Sequence, residues 1–216
     1  MGRSFWKWSV NTNWNARFDG AFTRQLYDDE EIDNYWEPEA RVRVARSYGH
    51  RSEVSAAFQT ARRLFDSREQ ADIGGYGMAN TSLSYWRPEA GVQLRHYWDQ
   101  KRRWRSSTKL SWLWNRDNGS GYYDYDRLLF SQQLRWANDK WEVRAGARVG
   151  WYDYRVQEVQ GEKRERSYYI LDIRAERRVF KHFFLYAAAE REWDISNDPL
   201  DQYQDWAASG GVGLEF

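Results

Sequence analysis

The 216-residue chain contains no cysteine, so it can hold neither a disulfide framework nor a thiolate metal site. Proline is scarce, at three residues, and the three histidines are His50, His96 and His182. Neither charge sign dominates: 33 basic and 32 acidic residues leave a net charge of +1. That balance argues against a nucleic-acid binder driven by bulk charge. Long hydrophobic runs are missing as well. The longest, Phe183 to Ala189, is about a third of the roughly 20 residues that a spanning helix needs. Crossing a membrane by helix is therefore excluded, whereas strands of about 10 residues with every other residue polar stay allowed. No apolar signal segment follows Met1; for an exported protein this implies a mature or excised chain, and the alternative is an intracellular or designed protein.

Aromatic residues are abundant. They make up 18% of the chain, with 14 Trp and 15 Tyr, although 30% of it is charged and the mean hydropathy is −0.98. A transmembrane barrel reconciles these numbers, because its lumen and loops are polar, its outer band is apolar and aromatic girdles mark both interfaces.

The patterning has period two, the signature of strands with one apolar face. Residues Trp6, Trp8, Val10, Thr12, Trp14, Ala16 and Phe18 alternate with polar neighbours as one run, and similar runs recur to the end of the chain. Tyr35-Trp36-Glu37-Pro38-Glu39-Ala40 is echoed fifty residues later by Tyr85-Trp86-Arg87-Pro88-Glu89-Ala90. If both copies begin strands of one direction, an even number of strands separates their starts, which favours a long excursion from Asp66 to about Thr81. Short turns near 49–50, 99–102, 138–140 and 180–182 alternate with longer polar stretches near 116–121, 155–166 and 196–205. In outer-membrane barrels the short connections are periplasmic and the long ones extracellular. The expected fold is a single all-β domain over residues 1–216, a transmembrane antiparallel up-and-down barrel of ten strands with both termini periplasmic; reading 72–84 as a strand and splitting 18–34 gives twelve.

The last eleven residues read as the closing strand, and Ser209, Gly211, Leu214 and Phe216 have polar-x-Gly-x-x-hydrophobic-x-aromatic spacing. This stretch resembles the assembly signal of bacterial outer-membrane β-barrels. The resemblance implies a bacterial outer-membrane location, a lipid bilayer around the chain and recognition by the barrel assembly machinery. The loop Ser196 to Tyr203 resembles that of barrel domains closing larger outer-membrane proteins with helical-repeat periplasmic parts, which implies a periplasmic domain or partner.

The inward positions carry both charge signs. The lumen-lining candidates are Arg41, Arg43, Arg87, Arg95, Arg105, Arg127, Arg135, Arg144, Arg148 and Arg174 with Glu37, Glu39, Glu142, Glu176 and Glu190. In a narrow barrel such side chains either fill the lumen with salt bridges or line a channel that guides anions. The arrangement resembles small outer-membrane porins that pass acidic sugars between arginine tracks. The interface candidates are Trp8, Trp36, Trp86, Trp98, Trp104, Trp114, Trp136, Trp141, Trp151, Trp193, Trp206 and Phe216.

No catalytic residue, metal site or cofactor is expected. All three histidines map to short-turn ends, away from the outer rim where the proteases and deacylases of this membrane keep theirs. The acidic stretch Asp28, Asp29, Glu30, Glu31 and Asp33 lacks the calcium-loop spacing, and Asn118-Gly119-Ser120-Gly121 lacks the Lys of a phosphate loop and reads as a flexible loop. The expected function is a narrow channel for small anionic solutes. The alternatives are a non-conducting anchor or exit pore of a larger assembly, and a soluble or designed barrel.

Overall fold

The computed structural model describes residues 2–9, 11–28, 33–49, 51–180 and 182–214. Its regular elements are strands: β1 (Gly2–Ser9), β2 (Trp14–Gln25), β3 (Tyr35–Tyr48), β4 (Ser52–Phe65), β5 (Gln70–Ala71), β6 (Gly77–Met78), β7 (Ser84–Tyr97), β8 (Trp104–Asp117), β9 (Tyr125–Ala137), β10 (Trp141–Val159), β11 (Glu162–Phe180), β12 (Phe183–Ser196) and β13 (Tyr203–Leu214). Eleven of them form one antiparallel meander in chain order, and the two-residue β5 and β6 pair with each other within the β4–β7 connection. The long excursion after Asp66 is therefore a loop carrying a minimal hairpin. Both copies of the repeated motif open strands, β3 and β7, that run in the same direction.

The meander has eleven long strands where ten or twelve were expected, and the difference lies at its start. The alternating run Trp6 to Phe18 is a hairpin. Asn11 Oδ1 accepts the backbone N–H groups of Asn13 and Trp14, both at 2.9 Å, which closes a turn. Trp6 and Phe18 thereby become cross-strand partners with ring centres 5.6 Å apart. An odd count puts the start of β1 at the long-loop end and the end of β13 at the short-turn end, so the two described chain ends lie on opposite sides. It also makes β1 and β13 run the same way. They share no pairing, and the described sheet has two open edges where a closed barrel was expected.

A second correction concerns the stretch near 155–166, expected as a loop. Strands β10 and β11 run 19 residues each and meet at Gln160-Gly161, both with positive φ (55° and 83°), the backbone of a two-residue hairpin turn. A register shift between Asp153 and Glu158 bends this hairpin, and it rises beyond its neighbours, which are 13 to 14 residues long.

Register separates two faces. On the outer one Val92, Leu110, Phe130, Val149 and Tyr169 are successive cross-strand partners over five strands. These outer residues are open to the surroundings: Ile173 is 52% exposed, Val212 61% and Trp206 75%. Among the described residues half of the buried apolar ones are alanines, Ala16, Ala45, Ala61 and Ala71; Phe65, Leu83, Leu113 and Tyr154 are the larger ones. The sheet is thus apolar outside, and its other face carries the charge.

Candidate functional site

All fourteen tryptophans fall on the outer register or continue it at a strand end. Trp8, Trp98, Trp104, Trp136 and Trp141 stand beside short turns; Trp36, Trp86, Trp114, Trp151, Trp193 and Trp206 stand toward the long connections. Of the sequence-derived interface and assembly residues, Phe216 lies outside the described residues, as do His50 and 29–32 of the acidic stretch. In β13, Ser209 and Gly211 share the inner register and Leu214 the outer one.

The arginines and glutamates named for the lumen all share the inner register, and it curls: residues of β4 and β7 line one cavity with residues of β10 and β11. Near the short-turn end, Arg105 is the cross-strand partner of Arg135, Arg135 of Arg144, and Arg144 of Arg174. Four like charges side by side repel, so the row needs carboxylates. Glu142 supplies them to two members, accepting from Arg135 at 2.5 Å and also from Arg144; Glu176 accepts from Arg174 at 2.7 Å. Arg105 has no carboxylate partner among the described residues, and its Nε–H is buried without an acceptor.

Charge on the inner face is divided by strand. Arg95, Arg105, Arg127 and Arg148, on β7 to β10, lack a carboxylate partner among the described residues. Asp172 and Glu190 are cross-strand partners on β11 and β12, and Glu192 and Asp205 on β12 and β13; none of the four makes an ion pair among the described residues. Unpaired arginines thus stand on β7 to β10, and the unpaired carboxylates Asp172, Glu190, Glu192 and Asp205 on β11 to β13. The wall β10–β11 is kept low by glycine: a side-chain carbon on Gly146 or Gly150 would overlap the Asp172 carboxylate or the Tyr168 ring lying across it.

Toward the long loops the inner face becomes aromatic. Tyr35, Phe65, Tyr85 and Tyr123 follow one another with ring centres 5.8, 5.3 and 5.8 Å apart. Across the cavity Tyr125 contacts Tyr152 and Tyr154 at 5.3 and 5.7 Å. Guanidinium groups lie over these rings, Arg63 over Tyr35 at 4.0 Å and Arg164 over Tyr154 at 4.8 Å. The sequence reading missed the inward tyrosines. Their parity was the available signal, since Tyr152 and Tyr154 stand in step with Arg144 and Arg148.

The loops above are tied to one another. The Asp117 carboxylate accepts the N–H groups of Gly119, Gly121 and Tyr123 at 2.8 to 3.0 Å, so the stretch read as a flexible loop is closed by the residue just before it. Burial pushes the Asp124 carboxyl up. Ser120 donates to the Ala71 carbonyl at 2.7 Å, and Gln157 to that of Tyr122 at 2.8 Å, joining three connections into a collar.

For catalysis the arrangement offers little. Ser52 Oγ lies 3.3 Å from His96 Nδ1 at the short-turn end, but Ser52 is 1% exposed and a substrate has no approach to it. Among the described residues no three His, Cys, Asp or Glu side chains gather as a metal site.

Comparison of folds matches this arrangement to solved outer-membrane proteins. OmpT, an outer membrane protein of Vibrio cholerae, superposes with a TM-score of 0.64 over 98% of this chain and 62% of its own, at 9% identity. An anion-selective porin from Comamonas acidovorans gives 0.55 over 97% and 57%, at 12% identity. The fold is of the outer-membrane β-barrel kind. The chain spans less than two thirds of either protein's length, and at these identities the likeness concerns the fold alone. No protein-family model matches the sequence, and no curated protein matches it.

Proposed function

We propose that this chain forms the wall of a bacterial outer-membrane channel that passes small anionic solutes without catalysing a reaction. The observation that carries the reading is the row Arg105, Arg135, Arg144 and Arg174, four guanidinium groups on adjacent strands of an inner face whose outer side is apolar. A water-soluble barrel needs the reverse, apolar residues inside and polar ones outside. Under lipid the exposed leucines, valines and tryptophans have a solvent, and charge inside meets water. Lipid tolerates no open sheet edge, so in the membrane β1 and β13 join either directly, in parallel, or through a strand between them. The anion-selective behaviour named for the Comamonas porin agrees with the arginine wall. The last strand, with Ser209, Gly211, Leu214 and Phe216, is proposed to be read by the barrel assembly machinery.

A second reading, a non-conducting anchor or the exit pore of a larger assembly with a periplasmic partner, draws support from the ion pairs across the inner face. Examples are Arg135–Glu142–Arg144 and Lys109–Glu89 at 3.2 Å. Conductance in planar bilayers under a salt gradient separates the two. Discrete openings with a reversal potential displaced toward the anion support the channel; stable insertion without openings supports the anchor.

A further inference from the structure

Arginines of the outer register lie over tryptophan rings. Arg24, Arg46 and Arg177 are the cross-strand partners of Trp36, Trp14 and Trp141, and their guanidinium groups stand 4.5, 5.6 and 5.3 Å from those ring centres. Each is therefore level with its tryptophan. Arg191 on β12 differs, because it stacks at 4.7 Å on Trp193, two residues further along its own strand toward the long loops. Two strand residues of about 3.3 Å at a tilt of about 40° set its Cα about 5 Å deeper in the membrane than that of Trp193. Its cross-strand partners there are Leu171 and Trp206. The side chain reaches back toward the long-loop side, as an arginine with its stem in lipid and its head at the interface does. No carboxylate pairs with it among the described residues.

Arg191 borders an open groove of about 420 Å³ on this face. Leu171 and Ile173 form one side and Trp206 the other, with Ala189 and Arg191 on the strand between. Asp172, Glu190 and Ala207 complete the lining but belong to the inner register, and the Asp172 carboxylate lies across Gly146 on that face. The groove thus offers apolar walls and one cation. A second copy packed here would bring no charge to match. The outer-register carboxylates Asp126, Asp153 and Glu165 form one cross-strand row at the long-loop rim, where Asp126 pairs with Arg116 and Asp153 with Lys163. Between the tryptophan belts the outer register carries no carboxylate among the described residues. We infer that this groove holds a phosphorylated lipid of the outer leaflet, its phosphate on Arg191 and an acyl chain along Ile173, Ala189 and Trp206. A guanidinium is suited to that headgroup because it can meet two phosphate oxygens at once.

The inference rests on the outer face meeting lipid, as the proposed function requires, and is independent of conduction. The test is native mass spectrometry of the folded protein released from detergent micelles that hold equal amounts of dioleoylphosphatidylglycerol and dioleoylphosphatidylcholine. The two lipids share their chains and differ in net charge. The anionic lipid is expected to be retained about fivefold over the zwitterionic one, the effect of one arginine at a charged headgroup. Arg191→Leu, which suits a lipid-facing position and so should fold, is expected to lose most of that preference. Lys101→Gln, which removes a charge in the β7–β8 turn, should keep it. Glycerol 3-phosphate, a headgroup without chains, should displace no lipid at the same concentration. Equal retention of both lipids, an undiminished preference in Arg191→Leu, or displacement by glycerol 3-phosphate would overturn the inference. So would a dimer that dissociates in Arg191→Leu, which would put a second copy in the groove. A protein that retains the anionic lipid through Arg191 yet passes no current would overturn the channel alone.

Discussion

Two sets of residues alternate along β10 and live in different media. Trp141, Val143, Ala145, Ala147, Val149 and Trp151 point outward; Glu142, Arg144, Gly146, Arg148, Gly150 and Tyr152 point inward. Averaged together they look like an ordinary water-soluble strand, which is why a mean hydropathy of −0.98 misdescribes the molecule. Separated by parity, one set is suited to lipid and the other to water held between charges.

The largest expected effect comes from crossing that division. Leu110→Arg places a charge between Val92 and Phe130 on the outer face at mid-strand, where Leu110 is 43% exposed. Equilibrium unfolding in lipid vesicles should show a loss of about 2 to 4 kcal/mol, the cost of an arginine near the bilayer midplane. Val149→Arg should behave alike; Leu185→Arg, three residues into β12 and opposite Arg177, should cost less, and Ser111→Arg on the inner face should be clearly milder. Equal penalties on both faces would defeat the assignment of inside and outside.

The next effect lies within the inner face. Glu142→Gln leaves Arg135 and Arg144 opposite each other with no carboxylate between them. The lost charged hydrogen bonds are worth about 1 to 3 kcal/mol. In bilayers the same variant should move the reversal potential further toward the anion. Arg105→Gln should move it the other way with little change in stability, because no carboxylate partner is lost there. Identical selectivity in both variants would remove the arginine row from the account.

How much of this was legible beforehand follows from a property of antiparallel pairs. Partners i and j always share a face, so alternation runs unbroken through a hairpin whenever i + j is even. Trp8 pairs with Ala16, an even sum, and the turn at 11–13 left no mark in the parity; only the asparagines signalled it. Glu142 pairs with Ala137, an odd sum, and the phase break between Trp136 and Trp141 was visible. The same limit explains the 155–166 stretch: charge such as Arg155, Glu158 and Lys163 reads as loop, yet in a hairpin standing clear of its neighbours both faces meet water. The candidate arginines could be placed on one face from sequence, but their order into a row depends on register. So does the assignment of carboxylates to β11, β12 and β13, which no single strand reveals.

Glycine offers a finer contrast between the two faces. Inner Gly150 lies beneath the Tyr168 ring, whereas outer Gly210 has only the Tyr186 carbonyl, at 3.4 Å, near its missing side chain. Gly150→Ala should cost about 1 to 3 kcal/mol in vesicle unfolding and lower conductance by pushing Tyr168 into the lumen. Gly210→Ala should be neutral within about 1 kcal/mol, because the backbone fits and only unfolded-chain entropy changes. Matching penalties would mean that Tyr168 has another resting place.

The smallest effect is expected at the loop collar, outside both faces. Arg24 at the end of β2 pairs with Asp66 at the foot of the long β4–β7 loop, and its guanidinium lies 4.5 Å from the Trp36 ring centre. The hydrogen bond from Arg24 holds the Asp66 carboxyl below its usual range. A carboxylate whose folded pKa is depressed stabilises above its unfolded pKa, about 3.9, and that contribution disappears as pH falls through the lower folded value. Asp66→Asn should therefore melt slightly below the parent protein at pH 7, and the two curves should converge in strong acid. A gap that stays constant down to that range would mean that Asp66 acts through packing, and that the Arg24 charge is held by Trp36 alone.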